Sequence, residues 1–241
     1  MNKSIVTTIV AAGVLALSSA ASADIVVSDL NSTAASTYTL GSNTPVEDQD
    51  GGSDNPWSGM SSVAFDSQIY GQGTSQADAD HAWTLSPTSL LYTASGSTNT
   101  IYGFGGESND IFLSSETFTV VDFTLSNDAA YSIQTTMNQQ GPGETYGYLE
   151  NADTGDVSEW DFAAEGGTFS DMGTLVAGDY TLYMMSTTFY QVFDETFSGS
   201  FQAESQYDLT FSVMIPLPAA GFMGLAGIGG LAFTRRRRDD V

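Results

Sequence analysis

Apolar and polar side chains alternate along most of the chain between residues 24 and 214, and this period of two restricts the fold more than any other feature of the sequence. The alternation is clearest in YSIQTTM (131–137), DYTLYMM (179–185) and QYDLTFSVM (206–214). A period of two places every second side chain on the same face of a β-strand. We find no stretch of a dozen residues in this region with helical periodicity and good helix-forming residues. The pattern therefore predicts an all-β body.

Turn-forming sequences separate the predicted strands at short intervals: SNDA (126–129), NADTGD (151–156) and AGD (177–179). Strands with one apolar face and frequent turns are typical of an antiparallel β-sandwich. We predict a sandwich with jelly-roll-like connectivity, and an immunoglobulin-like strand order is the alternative. In ETFTVVDFTLS the apolar alternation slips by one residue between Val120 and Val121, which predicts a β-bulge at that point.

Two polar segments are rich in Gly, Ser, Asn and Asp, namely GSNTPVEDQDGGSDNP (41–56) and GQGTSQADADH (71–81). Such compositions favour turns and irregular connections. We predict that both are long loops within a single domain covering residues 24–214. A division near Ser114 into two smaller sandwiches is the alternative.

The body of the chain carries no basic side chain. The five Lys and Arg residues are Lys3 and the cluster 235–238, and the segment between them, residues 24–234, holds all of the 29 acidic residues except Asp239 and Asp240. Such a negative surface is a poor partner for nucleic acid or for an anionic membrane. The chain also lacks cysteine, which excludes disulfides, thiolate nucleophiles and Cys-based zinc sites.

The first 23 residues have the pattern of a secretory signal peptide. Lys3 gives a positive start, an apolar run extends from Ile5 to Leu17, and small side chains occupy Ala21 and Ala23. Signal peptidase recognises this order of features. We predict a signal helix that is removed by cleavage between Ala23 and Asp24, and therefore an exported protein.

The C-terminal segment 215–241 has the pattern of a membrane span with a basic flank. Residues 215–234 carry no charge, and a helix of this length is about 30 Å long, which matches the hydrocarbon thickness of a bilayer. The consecutive residues Arg235, Arg236, Arg237 and Arg238 follow at once. Because basic flanks stay on the cytoplasmic side, we predict a transmembrane helix that leaves the acidic body outside the cytoplasm.

This segment resembles the PEP-CTERM protein-sorting domain, in its VPLPA-CTERM variant. The matching features are, in order, a Pro-containing motif, a glycine-rich apolar span, the arginine cluster and the end of the chain; the motif consists of Ile215, Pro216, Leu217, Pro218 and Ala219. Isoleucine stands where the variant usually has valine, and there is no Pro-Glu-Pro. The resemblance implies tethering at the inner membrane, recognition and removal of the tail by a membrane-embedded exosortase, and a final location at the cell surface or outside the cell.

Residues 117–214 also resemble a pattern common in secreted bacterial β-sandwich modules. In such modules a Leu-x-Ala-Gly-x-Tyr corner leads into a core strand, and here the corner consists of Leu175, Ala177, Gly178 and Tyr180. The resemblance implies a fold and leaves the function open.

The segment EDQDGGSDN offers a candidate metal site. Asp48, Asp50 and Asp54 supply carboxylates at short spacing, and hard oxygen donors suit Ca²⁺. The spacing departs from an EF-hand loop, and a solvated acidic loop is the alternative. NADTGD (151–156) and ADADH (77–81) are weaker candidates. Calcium is the one cofactor that the sequence suggests.

Most catalytic machinery is excluded. His81 is the only histidine, no G-x-S-x-G elbow is present, and the body has no basic residue to clamp a phosphate. We predict that His81 is exposed in a polar loop. A pair of carboxylates is the remaining catalytic option, because glycosidases need only two. No pair stands out among Glu107, Glu116, Glu144, Glu150, Glu159 and Glu165.

Aromatic side chains offer a platform on which sugar rings can stack. Trp57, Trp83, Trp160 and several tyrosines are available. Trp160 alternates with Phe162 as core residues do, whereas Trp57 follows a proline in a predicted loop. Trp57 is therefore the first candidate for an exposed ligand-binding side chain.

Together these patterns predict an exported, non-enzymatic protein of the cell surface or extracellular matrix, and the resemblance to the sorting family implies an association with exopolysaccharide. Its expected partners are signal peptidase, an exosortase-type protease and polysaccharide, and nucleic acid is not among them. A calcium-assisted carbohydrate-binding module and a carboxylate-pair glycosidase are the alternatives.

Overall fold

In a computed structural model of the chain, the described residues form an all-β body. They are residues 24–41, 43–67, 70–103, 111–161, 166–192 and 199–216. The predicted signal peptide and the tail from residue 217 onward lie outside them. Within the described ranges, no helix has the length and apolar character needed to cross a bilayer.

Twelve strands are formed by these residues: β1 (Ile25–Leu40), β2 (Val46–Gly52), β3 (Trp57–Ser67), β4 (Gly71–Ser86), β5 (Ser89–Gly103), β6 (Ile111–Leu125), β7 (Ala129–Gln140), β8 (Gly143–Asn151), β9 (Val157–Asp161), β10 (Gly167–Leu175), β11 (Gly178–Val192) and β12 (Ser200–Met214). They form two six-stranded sheets. The first sheet has the order β2-β1-β6-β11-β8-β9, and the second has the order β10-β7-β12-β5-β4-β3.

Each pair of neighbouring strands is antiparallel. The two sheets bury side chains from both against each other, so the prediction of an antiparallel β-sandwich is confirmed. Ser114 lies within β6, and each sheet contains strands from both sides of it. The alternative of two separate sandwiches divided there is therefore wrong.

The predicted inward faces of the clearest strands are correct. Ile133 and Met137 of β7, Leu182 and Met184 of β11, and Leu209 of β12 are all buried between the sheets. The Leu-x-Ala-Gly-x-Tyr corner also forms as expected. Leu175 and Tyr180 are buried, and the Tyr180 hydroxyl donates a hydrogen bond to the Val176 carbonyl at 2.9 Å.

The predicted bulge is displaced onto the neighbouring strand. Along β6 every second residue is buried without interruption. The register shift lies between Val27 and Asp29 of β1, opposite Asp122 and Phe123. Phe118 and Val120 point outward, so β6 carries apolar side chains on both faces. This is why the apolar alternation in the sequence changes phase although β6 itself is regular.

Both predicted loops contain strands instead. The segment 41–56 includes β2, and 71–81 forms the first two thirds of β4. The inward residues of β4 from Gly71 to Ala79 are small, because the facing side chains leave little room. A Cβ at Gly73 would lie 2.4 Å from the Phe65 ring and 3.3 Å from Leu113. An alternation of Gly, Ser and Ala therefore carries the strand pattern without any large apolar residue.

The described body ends beyond the predicted boundary. The Ile215 side chain is only 3% exposed, and its backbone N–H donates to the Thr88 carbonyl at 2.9 Å. Ile215 thus packs into the sandwich, although the sequence placed it in the sorting motif, and Pro216 follows as an exposed residue. At the other end, the Asp24 N–H donates to the Ser126 hydroxyl at 2.8 Å. The predicted motif residues Leu217, Pro218 and Ala219, the arginines, and Ala21 and Ala23 lie outside the described residues.

Candidate functional site

A cluster of aromatic rings lies on the outer side of the first sheet, and we call it the aromatic face. It consists of Phe118 on β6, Tyr183 on β11, and Tyr146 and Tyr148 on β8. These strands are adjacent in the sheet, and all four side chains are partly exposed. The register pairs Tyr183 directly with Tyr148.

The rings of the aromatic face form one contiguous layer around Tyr183. Its ring centroid lies 5.1 Å from that of Tyr148 and 6.3 Å from that of Phe118, with interplanar angles of 19° and 20°. Tyr146 is 5.7 Å away and tilted by 36°. Two of the contacts are thus nearly parallel, and the layer lies across three strands.

Carboxylates flank this layer on both sides. Glu116 and Glu144 both pair with Thr187 of β11 and form one acidic row across the strands. Asp122 and Glu150 both pair with Thr181 and form a second row. The rings lie between these two rows. Glu159 of β9 pairs with Tyr148 at the end of the layer.

Burial and charge perturb the titration of these groups. Burial raises the pKa of the Glu116 carboxyl. Burial also raises the pKa of the Tyr183 hydroxyl, and the neighbouring Tyr146 and Glu116 add to this effect. For Tyr148, burial raises the pKa and the charge of Glu150 contributes. Tyr148 and Tyr183 therefore stay neutral and can donate hydrogen bonds.

The outer side of the second sheet has a different character, because a groove with two adjoining cavities crosses it. One cavity of about 480 Å³ has both polar and apolar lining residues, which include Asp80, Ser95, Asp208, Trp57, Ala82 and Leu209. The register places Ser95 between Asp80 and Asp208. These two carboxylates are exposed and stand on strands separated by about two strand spacings, or ~10 Å.

A second cavity of about 260 Å³ lies next to the first on the same side of the second sheet. Its lining residues are polar: Gln76, Asp78, Ser97, Asn99, Asn138, Glu204 and Gln206. Apart from Asn138 on β7, they lie on the same strands as the first cavity, two to four residues farther along β4, β5 and β12. No aromatic side chain lines this second cavity.

Trp57 is not the exposed loop residue that the sequence suggested. It begins β3 and is partly buried. Its indole ring stacks on His81 with centroids 5.6 Å apart. A Cβ at Gly52 or at Gly59 would come within 2.3 Å of the ring. The side chain therefore fills the gap between the edges of the two sheets.

His81 is buried rather than exposed, with 3% of its surface accessible. Its Nε2–H donates to the Asp54 carbonyl at 2.7 Å, so Nδ1 accepts a hydrogen bond from the Ser32 hydroxyl at 2.8 Å. The Ser32 oxygen in turn accepts from Thr119 at 2.7 Å, and Thr119 from the Tyr92 hydroxyl. Burial lowers the pKa of His81, while Asp54 and Asp80 oppose this effect.

The structure does not bring the three predicted calcium ligands together. The Asp48 carboxylate accepts the Ser62 N–H at 2.9 Å, and Asp50 accepts the Met60 N–H at 3.4 Å. Both bonds satisfy donors of β3, the edge strand of the second sheet. The Asp54 carbonyl accepts from His81. Among the residues that the structure describes, no group of three or more His, Cys, Asp or Glu side chains is placed to hold a metal ion.

The remaining candidates are distributed over the body. Trp160 is a core residue stacked on Phe169 with centroids 4.8 Å apart. Trp83 is partly buried. Its backbone N–H donates to the Asn55 side-chain oxygen, and the Asn55 side-chain amide donates to the Trp83 backbone carbonyl. In NADTGD, Asn151 accepts the N–H groups of Asp153 and Thr154, as in an ordinary turn. Phe162, Glu107 and Glu165 lie outside the described residues.

Sequence reasoning named the tyrosines only as a group. The aromatic face depends on outward residues of strands that are distant in sequence, and their alignment is set by the order β6-β11-β8. The signal that was available is local: Tyr146 and Tyr148 in YGYLE, and Tyr183 in DYTLYMM, occupy positions between inward-facing residues, whereas Tyr180 faces inward.

No protein-family model matches the chain, and no curated protein matches it. Among solved structures, the chain aligns with a family two carbohydrate esterase from Cellvibrio japonicus at 11% identity and a TM-score of 0.19. The alignment covers 67% of this chain and 36% of that structure, so the chain spans about a third of the esterase. Similarity at this level does not indicate a shared fold or activity.

Proposed function

We propose that this chain is an exported, non-enzymatic protein of the cell surface or extracellular matrix that binds polysaccharide through its aromatic face. The observation that carries the proposal is the contiguous layer of four partly exposed rings on three adjacent strands. Large aromatic side chains that remain partly exposed mark interaction surfaces more often than isolated apolar residues do.

The chemistry of the face suits a sugar polymer. Apolar C–H groups of sugars pack on aromatic side chains. Tyrosine hydroxyls can donate hydrogen bonds to sugar hydroxyls or accept them, and the flanking carboxylates can accept them. Neighbouring strands are about 4.8 Å apart, which is close to the length of one sugar unit in an extended chain. Tyr148 and Tyr183 stack on each other across these strands with centroids 5.1 Å apart, so the ring edges and the hydroxyls are the parts that can contact a sugar polymer.

The two ends of the sequence support the location. A signal peptide at residues 1–23 delivers the body across the membrane, and the tail that follows Ile215 holds it there until an exosortase acts. An epitope inserted in the body, followed by immunoblotting of cell fractions, tests this part. Intact protein in the cytosol contradicts the proposed export.

Binding is tested by depletion of the purified protein on insoluble polysaccharides. We expect the double variant Tyr148→Thr, Tyr183→Thr to lose at least ~10-fold in affinity, because it removes the centre of the ring layer. Phe189→Thr is the matched control, since Phe189 is an exposed aromatic residue of the same strand outside the layer. Equal retention of both variants and the wild type overturns the assignment of the face.

A second candidate function is favoured by the position of Asp80 and Asp208 across the groove. Their strand separation of about 10 Å is near the upper limit for an inverting pair of glycosidase carboxylates. Both are exposed, however, whereas a general acid at neutral pH is usually desolvated. Release of reducing ends that disappears in Asp208→Asn would establish this activity, and its absence leaves binding alone.

A further inference from the structure

We propose that one corner of the body rests on the lipid bilayer while the tail is in place, through an uncharged patch on the outer side of the second sheet. We call it the tail-side patch, and it is centred on Leu91 of β5, Met172 of β10 and Met214 of β12. This inference rests on the tethering by the tail that is part of the proposed function, and it adds a contact between the body and the membrane surface.

The three apolar side chains of the tail-side patch face outward and are accessible. Leu91 is 46% exposed, Met172 is 74% exposed and Met214 is 63% exposed. The strand register forms one outward row across four strands, which consists of Leu91, Ser212, Ser132 and Met172. Met214 lies in the next row toward the end of the strands. Because the serines between them are small, the apolar side chains form the raised part of this surface.

The tail-side patch carries no charge, although residues 24–234 hold 27 carboxylates and no Lys or Arg. Three successive outward rows at this end of the second sheet contain no acidic residue on β4, β5, β12, β7 or β10. The first row is Ala82, Thr93, Thr210, Gln134 and Ser170, the second is Thr84, Leu91, Ser212, Ser132 and Met172, and the third is Ser86, Ser89, Met214, Ala130 and Thr174.

The nearest carboxylates border the patch without interrupting it. Asp208 lies one row farther along β12. Asp171 is on β10 but faces the interior side of the sheet, where it accepts the Tyr131 hydroxyl at 2.6 Å. Asp128 precedes β7 at the end of the sandwich and accepts the Ala177 N–H at 3.1 Å. The second sheet therefore offers an uncharged apolar surface at this end and an acidic surface beyond it.

The chain leaves the body at this patch. Met214 ends β12, and the N–H of the buried Ile215 donates to the Thr88 carbonyl at 2.9 Å. The segment from Pro216 to residue 234 carries no charge. As a helix it is roughly 30 Å long, which is about the thickness of the hydrocarbon layer. Because nearly all of this segment is needed to cross the bilayer, hardly any chain remains as a linker, and Met214 has to lie close to the lipid headgroups.

Charge and apolar area then decide which side of the body turns toward the lipid. Carboxylates are costly to remove from water, and they are repelled by anionic headgroups. Apolar side chains gain free energy when they leave water. Among the orientations that so short a linker allows, the one that places the tail-side patch on the bilayer buries apolar side chains without desolvating a carboxylate.

A second copy of this chain is a less suitable occupant of the patch. A stable protein interface buries about 800 Å² on each partner, and three apolar side chains provide much less. Two copies would also bring two acidic surfaces together without any basic residue between them. A bilayer avoids both difficulties, since its area is unlimited and a zwitterionic surface carries no net charge.

The experiment places one environment-sensitive fluorophore on the body. The chain has no cysteine, so Leu91→Cys, Met214→Cys and Ile101→Cys each introduce a single thiol for labelling. Ile101 is the matched control, because it is an exposed apolar residue on the same face of β5 as Leu91, and the two lie ~30 Å apart along the strand. The labelled chains, with their tails, are reconstituted in phosphatidylcholine vesicles. Quenching by brominated lipid is then compared with quenching by aqueous iodide.

We expect brominated lipid to quench the labels at positions 91 and 214 at least ~3-fold more strongly than the label at position 101, because interfacial side chains lie ~5–10 Å into the boundary between headgroups and acyl chains. Iodide should show the opposite order. Leu91→Glu should weaken the lipid quenching of the label at position 214, and Ile101→Glu should leave it unchanged. Thermal melting of each variant confirms that it is folded.

The other possible results separate this inference from the tethering beneath it. If the chain floats with the vesicles but lipid quenches all three labels equally, the contact is wrong and tethering stands. If the labels at positions 91 and 214 are protected from iodide but are not quenched by lipid, protein covers the patch, either the tail itself or a second copy, and the inference is overturned. If the chain does not float with the vesicles, tethering and the contact fail together.

Discussion

Two parts of the sandwich interior are equally buried but differ in chemistry. One part is apolar and includes Phe123, Leu182 and Phe211. The other, which we call the hydroxyl belt, crosses the middle of the same strands; its buried members include Ser75, Thr98, Thr100, Ser115, Thr117, Thr119, Thr145, Ser186, Thr188 and Ser205. On β6 the hydroxyl belt ends at Thr119, because the next inward-facing residue, Val121, is apolar.

Several members of the hydroxyl belt are hydrogen-bonded to one another, whereas the buried hydroxyls of Thr98 and Thr117 have no hydrogen-bond partner among the described residues. The Thr188 hydroxyl lies 2.8 Å from that of Ser115 and 3.0 Å from that of Thr100. The Ser205 hydroxyl is 2.6 Å from both Thr145 and Ser186. Apolar burial is roughly proportional to area and has no direction, whereas hydrogen bonds fix orientation. The apolar part therefore supplies most of the stability, and the belt restricts how the two sheets align.

The largest effect is expected from Leu182→Ala in the apolar part. Leu182 is fully buried, and its truncation leaves a cavity that should lower the free energy of unfolding by about 3 kcal/mol. Tyr183→Thr changes the next residue, which faces outward, and should cost far less stability while it weakens polysaccharide binding. Urea unfolding of both variants measures the contrast. Similar losses would show that Tyr183 is mainly a packing residue.

Overpacking of the hydroxyl belt should come next. A Cβ at Gly96 would lie 2.4 Å from the Tyr207 ring and 2.5 Å from the Thr117 hydroxyl. We expect Gly96→Ala to destabilise by about 2 kcal/mol, because close-packed interiors resist added volume. Gly103→Ala on the same strand is the control, since a Cβ at Gly103 would have no neighbouring atom within 4 Å. A neutral Gly96→Ala would mean that the sheets can separate at the belt.

The loss of one belt hydroxyl should have a smaller effect. Thr188→Val keeps the volume but removes the hydrogen-bond partner of Ser115 and Thr100, which should cost about 1 kcal/mol. Thr210→Val on the exposed side of β12 is the surface control and should be close to neutral. If Thr188→Val is as stable as the control, the belt hydroxyls satisfy one another without Thr188, and the claim that they fix the sheet alignment weakens.

The same contrast explains how much of the fold the sequence predicts. The predictions for β7, β11 and β12 are correct because large apolar side chains mark their inward faces. The prediction of a loop at residues 71–81 is wrong because the inward residues in this part of β4 are Gly, Ser, Ala and His81. The Gly, Ser and Ala residues are small because the side chains of the facing strands leave little room at these positions. The size that each position can hold is therefore set by the facing strand. Alternation of small residues carries no hydropathy signal of its own.

The site was less predictable than the fold, because it depends on which strands become neighbours. Tyr148 and Tyr183 are in contact only because β8 lies beside β11 in the sheet. Asp48 and Asp50 have the spacing of oxygen ligands, but the approach of β2 to β3 turns them into acceptors for backbone N–H groups. Local spacing shows which groups a segment can offer, and sheet order decides what they contact.

The smallest effect is expected from the pH dependence of His81, which ends the chain of hydroxyls from Tyr92 through Thr119 and Ser32. Its surroundings are Trp57, Tyr92, the Asp54 carbonyl and the exposed Asp80. Burial lowers the pKa of His81 in the folded protein, so the neutral imidazole is favoured there. Above a pH of about 6.5 both folded and unfolded chains hold it neutral, and its contribution to stability is fully present.

As the pH falls below that value, the unfolded chain takes up the proton first, and the contribution is lost progressively toward the folded pKa. Protonation also turns Nδ1 into a donor, which Ser32 can accept only if the hydroxyl chain reverses. Because 27 carboxylates in residues 24–234 titrate as well, the test is the melting temperature of the wild type minus that of His81→Gln. We expect this difference to shrink by a few degrees between pH 7.5 and pH 5. A difference that stays constant, or grows, would show that the proton on His81 is not linked to unfolding, and the belt would then be as insensitive to pH as the apolar part beside it.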